Sequence, residues 1–232
     1  MATWQVINHM NSDQYLSNLY NRNLLPRAHV NYLNSIKDID PKVIYDIGSC
    51  VLHWSKPAKN VWPNARIIAF DIMEEVRHLY DQNKIEYYTG FLADEDDKNT
   101  TFYKNLMGPG GQSFFLENPK LNSAAPHYYN ESTKIPVKTI TLDTLVERNN
   151  LPLPDLIKMD TQGSELMILK GATKTISQCK DIILELQEVD WNIGAPKAAE
   201  VIAYMTSIGY ECITQKFSKN VADADYHFRK IA

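Results

Sequence analysis

Short apolar runs alternate with helix-like stretches along most of the chain. V-I-Y-D at residues 43–46, R-I-I-A-F at 66–70, L-I-K-M at 156–159 and K-D-I-I-L-E-L at 180–186 are short, rich in β-branched side chains and apolar on both faces. That pattern predicts buried parallel strands. I-E-Y-Y at 85–88 and K-I-P-V-K-T-I at 134–140 predict two more. Between them the spacing turns helical: from about residue 51, over 73–82, over 142–149 with Thr141 as cap, over 165–170 with Ser164 as cap and Gly171 as stop, and over 196–208 from Pro196 to Gly209. Residues 210–214 and 226–230 read as a closing antiparallel hairpin. Strands alternating with helices predict an α/β fold around a doubly wound, mostly parallel sheet.

Two stretches stand outside this alternation. Tyr15, Leu16, Leu19 and Tyr20, then His29, Tyr32, Leu33 and Ile36, recur at helical spacing, so residues 1–40 are expected to form a helical extension to a domain spanning 41–232. Residues 100–139 hold one short strand, T-F-Y-K, and are otherwise irregular; a segment of that length is usually functional or disordered. Its Gln112, Ser113, His127, Tyr128 and Tyr129 suit a polar, hydroxyl-rich molecule, the alternative being a plain surface loop.

Composition narrows the class. The 232 residues are 44% apolar and 22% charged with a net charge of -4, an ordinary globular balance. There is no clustered basic face for nucleic acid, and no apolar run approaches the roughly 18 residues of a membrane span. The first residues lack a signal-peptide pattern. Cys50, Cys179 and Cys212 are odd in number and widely spaced, which suits a reducing compartment and a cytoplasmic location.

The chemistry gathers where the strands should end. In an open α/β sheet, ligands bind outside the carboxyl ends of the strands. The first predicted strand runs into a Gly48 turn, as at the front of a nucleotide-binding unit. Asp71 closes the second at the spacing of an acid that accepts from both ribose hydroxyls, or it caps the next helix. Ala93 and Asp94 follow the third strand, where an adenine ring would lie. Lys158 sits inside the 156–159 strand and Asp160 at its end; they are functional groups or a buried ion pair. If this strand neighbours 180–186, their ends are about 4.8 Å apart. Asp160 and Glu185 would then converge on Mg²⁺ or Mn²⁺, unless Glu185 pairs with Lys158. Asp160, projecting into the crevice, is the best candidate for a general base; His53 and His127 are alternatives, each otherwise a surface or packing histidine.

V-I-Y-D-I-G, I-I-A-F-D, T-I-T-L-D-T-L and D-L-I-K-M-D-T-Q-G-S-E-L-M-I-L-K-G-A, with the tail I-I-L-E-L and I-A-Y-M-T-S-I-G-Y, resemble in order the FkbM family of S-adenosylmethionine-dependent methyltransferases. The resemblance covers about residues 42–214. The family usually reads K-x-D-x-E-G-x-E; Lys158, Asp160, Gly163 and Glu165 match, and Gln162 replaces the glutamate. Its first loop usually reads D-x-G-x-x-x-G, and Leu52 stands at the second glycine. The resemblance implies a Rossmann-like class I methyltransferase sheet. It implies a donor held by Asp46, Gly48, Ser49, Cys50, Asp71, Ile72, Ala93 and Asp94, and chemistry at Asp160 with Lys158 and Glu165 beside it. The implied reaction is O-methylation of a small-molecule or glycan hydroxyl. The departures at Leu52 and Gln162 leave a second reading, a catalytically silent module that binds a nucleotide or glycan. A nicotinamide-dependent oxidoreductase fits less well, because the first loop has no G-x-G-x-x-G.

Overall fold

The structure, a computed structural model, describes Leu25 and residues 27–105, 109–129, 131–219 and 222–231. The first expected helix, around Tyr15 to Tyr20, lies outside these residues. The strands are β1 (Val43–Ile47), β2 (Arg66–Asp71), β3 (Glu86–Thr89), β4 (Phe91–Leu92), β5 (Asn99–Tyr103), β6 (Lys134–Ile140), β7 (Leu156–Met159), β8 (Asp181–Gln187), β9 (Tyr210–Lys219) and β10 (Asp223–Lys230). Seven of them form one sheet in the order β3-β2-β1-β7-β8-β10-β9. β1, β2, β3, β7 and β8 pair in parallel, and β10 runs antiparallel between β8 and β9. The chain therefore winds outward from β1 to β3, then crosses back to β7. That reversal puts a crevice at the carboxyl ends of β1 and β7, the place where ligands enter such sheets.

Burial explains why these runs became strands. Ile44, Tyr45, Ile68, Leu156, Ile157, Ile182 and Ile183 are fully buried, with a hydrophobic cluster on each face of the sheet. A second, three-stranded sheet in the order β4-β6-β5 forms beside the first. Its β5 and β6 bracket the irregular segment and pair antiparallel from Asn99↔Lys138 to Tyr103↔Lys134.

Several local expectations are corrected. The helix expected from about residue 51 begins later, at Ser55–Val61. Cys50 and Leu52 have φ of 50° and 66°, which a right-handed helix excludes. The helix expected over 73–82 opens with a 3₁₀ turn, Glu74–Val76, before Arg77–Gln82. The hairpin is longer than its apolar cores, because β9 and β10 extend to Lys219 and back from Asp223.

The second expected helix of the extension is present at Arg27–Ser35, with His29 and Leu33 buried. It packs on the sheet through polar contacts: Tyr32 Oη is 2.7 Å from His227 Nδ1, and His29 Nε2 is 3.2 Å from Asp225 Oδ2. Residues one helical turn apart meet residues two apart on β10, which is how a helix laid along a strand matches its period.

Candidate active site

One cleft opens at the carboxyl ends of β1, β2 and β7. Asp46, Gly48, Ser49, Cys50, Asp71, Ile72, Lys158 and Asp160 all line it. The turn after β1 is held from below: the amides of Gly48 and Ser49 both donate to the Phe70 carbonyl, at 2.9 and 3.2 Å. Gly48 has φ +75°, and a Cβ there would lie 1.8 Å from the Asp160 carbonyl oxygen. The β1 turn and the β7 end thus approach so closely that only glycine fits.

Asp71 is fixed by backbone amides. Its Oδ2 accepts from Cys50 N at 2.8 Å and its Oδ1 from Ile72 N at 2.7 Å. The Met73 amide also bonds this carboxylate, so of its roughly four lone-pair sites about one is left to accept from a hydroxyl in the cleft.

Leu52 keeps the left-handed conformation that a glycine would adopt without strain, and its side chain is fully buried. The strain costs about 1–2 kcal/mol, less than the roughly 2–5 kcal/mol a buried leucine contributes against truncation. Leu52→Gly is therefore expected to lower stability by about 1–3 kcal/mol in urea unfolding. A gain in stability would show that the leucine packs poorly.

The Ala93 and Asp94 positions differ from expectation. β3 ends at Thr89, Gly90 N donates to the Asp71 carbonyl, and Phe91–Leu92 pair at once with β6. Gly90, Phe91 and Leu92 therefore line the cleft in their place. Ala93 turns toward Gly171, where a Cβ would come within 2.1 Å of the Ala93 carbonyl oxygen. That close approach, and no left-handed cap, is what requires glycine at 171, whose φ is -86°.

At the end of β7, Lys158 is buried. Its Nζ lies 3.2 Å from Asp225 Oδ1, 3.8 Å from Asp160 Oδ2 and 3.3 Å from the Met159 carbonyl. Burial alone would favour the neutral amine, but Asp225, Asp160 and Glu185 outweigh it and raise its pKa, so the ammonium persists. Its nearer partner is Asp225 on β10, a residue the sequence reading passed over.

Asp160 and Glu185 do converge, as neighbouring strands require. The Gln162 amide donates to Asp160 Oδ1 at 3.0 Å and to Glu185 Oε2 at 3.1 Å. Burial would raise Asp160, but Lys158, Glu185 and Gln162 together hold its carboxyl below the ordinary range. Burial and the Asp160 carboxylate push Glu185 well above its ordinary value. The pair therefore favours sharing a single proton, and burial beside the Asp160 carboxylate draws it toward Glu185. These donors do not fit a divalent ion. The Gln162 amide donor stands between the two carboxylates, and among the described residues no three His, Cys, Asp or Glu side chains gather to hold a metal. The expected Mg²⁺ or Mn²⁺ site at Asp160 and Glu185 is corrected to a proton-sharing pair.

Glu165 is buried away from the cleft lining. Its Oε1 accepts from Thr161 N at 2.8 Å, Thr161 Oγ1 at 3.0 Å and Gly163 N at 3.3 Å. It shapes the loop that presents Asp160. Ser164, expected as the helix cap, makes no side-chain cap bond and donates instead to the Thr161 carbonyl at 2.8 Å. Thr141 does cap its helix, accepting from Thr144 N at 3.1 Å.

Of the residues expected to hold an acceptor, Gln112 lines the cleft. Ser113 Oγ donates to the Gln162 carbonyl at 2.7 Å, and Tyr129 Oη donates to the Gly111 carbonyl at 2.6 Å. These two brace the irregular segment. His127 is exposed on Ala125–Tyr128, and neither it nor Tyr128 lines the cleft. His53 does, and so do His29, Phe102 and Phe114, to which the sequence reading gave no role.

Asp46 is buried and lines the cleft, with Ser55 Oγ donating to its Oδ2 at 2.6 Å. Burial pushes its pKa up to about 7, against the pull of Ser55 and Lys158. A carboxyl bound more tightly to its proton in the folded state loses stability as pH rises from its unfolded value through its folded one. Asp46→Asn is thus expected to be more stable than the native chain at alkaline pH, by on the order of 4 kcal/mol, with the gap closing toward about pH 4. A gap that does not change with pH would contradict this.

A model of the FkbM methyltransferase domain matches residues 46–212, well over half of the chain. A hexuronic acid methyltransferase, AglP, of Haloferax volcanii is 35% identical over 81 residues, 35% of this chain and 34% of that protein. The match thus spans about a third of that relative's length. Magnesium protoporphyrin IX methyltransferase of Synechocystis PCC 6803, solved with bound S-adenosylmethionine, is 12% identical, covers 98% of this chain and 89% of its own, and superposes with a TM-score of 0.52. At that identity the likeness is one of fold.

Proposed function

The chain belongs to the FkbM methyltransferase family and is an S-adenosylmethionine-dependent methyltransferase; from that premise we propose that it methylates a hydroxyl oxygen of a sugar or a similar small polar acceptor. The observation that carries the reading is the convergence of Gly48, Asp71 and Asp160 on one cleft. The sugar acceptor is supported by the stretch shared with the hexuronic acid enzyme.

When bound, S-adenosylmethionine supplies a methyl carbon activated by a sulfonium. The Gly48–Cys50 turn and the Asp71 carboxylate hold the nucleoside, with Gly90, Phe91 and Leu92 along the base. Asp46 places negative charge in the donor site, which favours a cationic donor once the carboxyl is ionised. Displacement at the methyl carbon needs the acceptor oxygen held in line behind it, so much of the catalysis is positioning. An alcohol must also shed its proton as it attacks. Asp160, ionised and at the cleft wall, is the group that takes it. Lys158 and Gln162 hold Asp160 in place, and Glu165 fixes the loop beneath.

Two measurements test this. Titration calorimetry with S-adenosylhomocysteine is expected to show binding, and its absence at millimolar ligand would overturn the donor site. Transfer of a labelled methyl group to a panel of neutral sugars and uronic acids is expected to give a product stable to mild alkali, as an ether is. A product released by alkali would be a carboxylate ester and would overturn the hydroxyl assignment.

A further inference from the structure

Among the described residues, the buried atoms His53 Nε2 and Gln112 Oε1 at the cleft have no hydrogen-bond partner. Leaving such an atom unpaired costs about 1–3 kcal/mol, so a native fold that tolerates it usually has something else to pair with it. The two come from separate elements. His53 sits in the turn after β1. Gln112 sits in the irregular segment, next to Ser113, which pairs with Tyr103 of β5 and is tied to Gln162.

Aromatic rings line the cleft with them. Phe102 and Phe114 meet edge to face at 5.1 Å, and Phe91 meets Phe102 at 5.1 Å on the other side. The groups assigned to the nucleoside are Asp71, Gly90 and β4. His53, Gln112, Phe102 and Phe114 remain as an amide, an imidazole and an apolar wall. A pyranose presents the matching chemistry, with hydroxyls around its rim and C–H groups on its faces.

We propose that His53 and Gln112, backed by Phe102 and Phe114, form the acceptor subsite for a pyranose-type polyol. Gln112 Oε1 accepts from one ring hydroxyl, and the His53 imidazole turns to hydrogen-bond a second. The ring's C–H face lies on the phenylalanine wall. This rests on the sugar-methylating reading above and adds the residues that select the acceptor. His53 and Gln112 act here as specificity groups; the proton of the reacting hydroxyl goes to Asp160.

The test uses the full chain saturated with S-adenosylhomocysteine, titrated with methyl β-D-glucopyranoside and with D-glucuronic acid. Imidazole ¹⁵N signals are followed, with the His53 signal assigned by its loss in His53→Gln. At least one sugar is expected to shift the His53 signal saturably. Gln112→Leu and His53→Gln are each expected to weaken that sugar about tenfold, the loss of one hydrogen bond, with S-adenosylhomocysteine affinity changed less than about threefold. Sugar binding that both variants leave unchanged would place the acceptor elsewhere. No binding of either sugar would reject the polyol class. In both cases retained S-adenosylhomocysteine binding leaves the methyltransferase reading standing, and the native-chain spectrum decides the matter even if a variant folds poorly.

Discussion

Asparagine at position 160 is expected to slow methyl transfer by roughly 100-fold while leaving S-adenosylhomocysteine affinity within about threefold of native. The amide matches the carboxylate in size and can still meet Gln162, but it cannot take a proton. General bases contribute about 100- to 10,000-fold. The low end applies here, because Lys158, Glu185 and Gln162 hold Asp160 below its ordinary pKa. Such a base is always ready and never strong. S-adenosylhomocysteine is the right probe of the donor site, since its sulfur carries no charge for Asp160 to attract. Rates around neutral pH should not follow the titration of Asp160, which is already ionised there. Turnover of Asp160→Asn within a few-fold of native would remove the carboxylate as base.

The strands that build the cleft could be read because parallel strands buried on both faces spell continuous apolar runs. The same geometry put Gly48, Asp71 and Asp160 on one sheet edge, since the carboxyl ends of neighbouring parallel strands share an edge. Where the reading failed, position depended on contacts far away in sequence. Asp225 and His227 alternate with Ala224, Tyr226 and Phe228, as on a strand with one solvated face. The polar face is instead covered by Arg27–Ser35, which carries His29 and Tyr32 onto it. Nothing local distinguishes a polar face covered by a helix from one covered by water. The cleft lining after β3 shifted from Ala93 and Asp94 to residues 90–92 for a similar reason: β4 pairs with β6, Phe91 with Thr139 and Leu92 with Ile140, and that pairing turns Ala93 away.

The two departures from the family pattern have physical accounts. Leu52 retains the turn at the expense of strain and fills space beneath it. Gln162 does something a glutamate could not: with two N–H donors it bridges Asp160 and Glu185. A further carboxylate there would add repulsion to a site where Asp160, Glu185 and Asp225 already share one ammonium. Gln162 therefore suits a pair that keeps one proton, and it occupies the space a metal ion would need.

Methionine in place of Lys158 is expected to lower stability by about 3–5 kcal/mol at neutral pH and above. Breaking a buried charge system by removing one member leaves the others unpaired, and the groups facing Lys158 are Asp160, Asp225 and Glu185, with His29 beyond Asp225. Burial beside Asp160 already favours the protonated form of Glu185; Asp160 loses its ammonium, and among the described residues Asp225 keeps only His29. The sign of the pH dependence follows. Without the ammonium, the folded pKa of Asp160 rises above its unfolded value, so the variant binds that proton more tightly when folded. Its stability is then intact at low pH and is lost as pH climbs through the raised value. Urea unfolding at about pH 5 and about pH 8 should show the larger deficit at the higher pH. The native chain, whose Lys158 keeps its charge throughout, should lose only what Asp46 costs it, a loss the variant shares and the deficit therefore cancels. A deficit equal at both pH values would mean that Lys158 supports the fold by filling space, and the account of Asp160 as a charge held ready by its neighbours would fail with it.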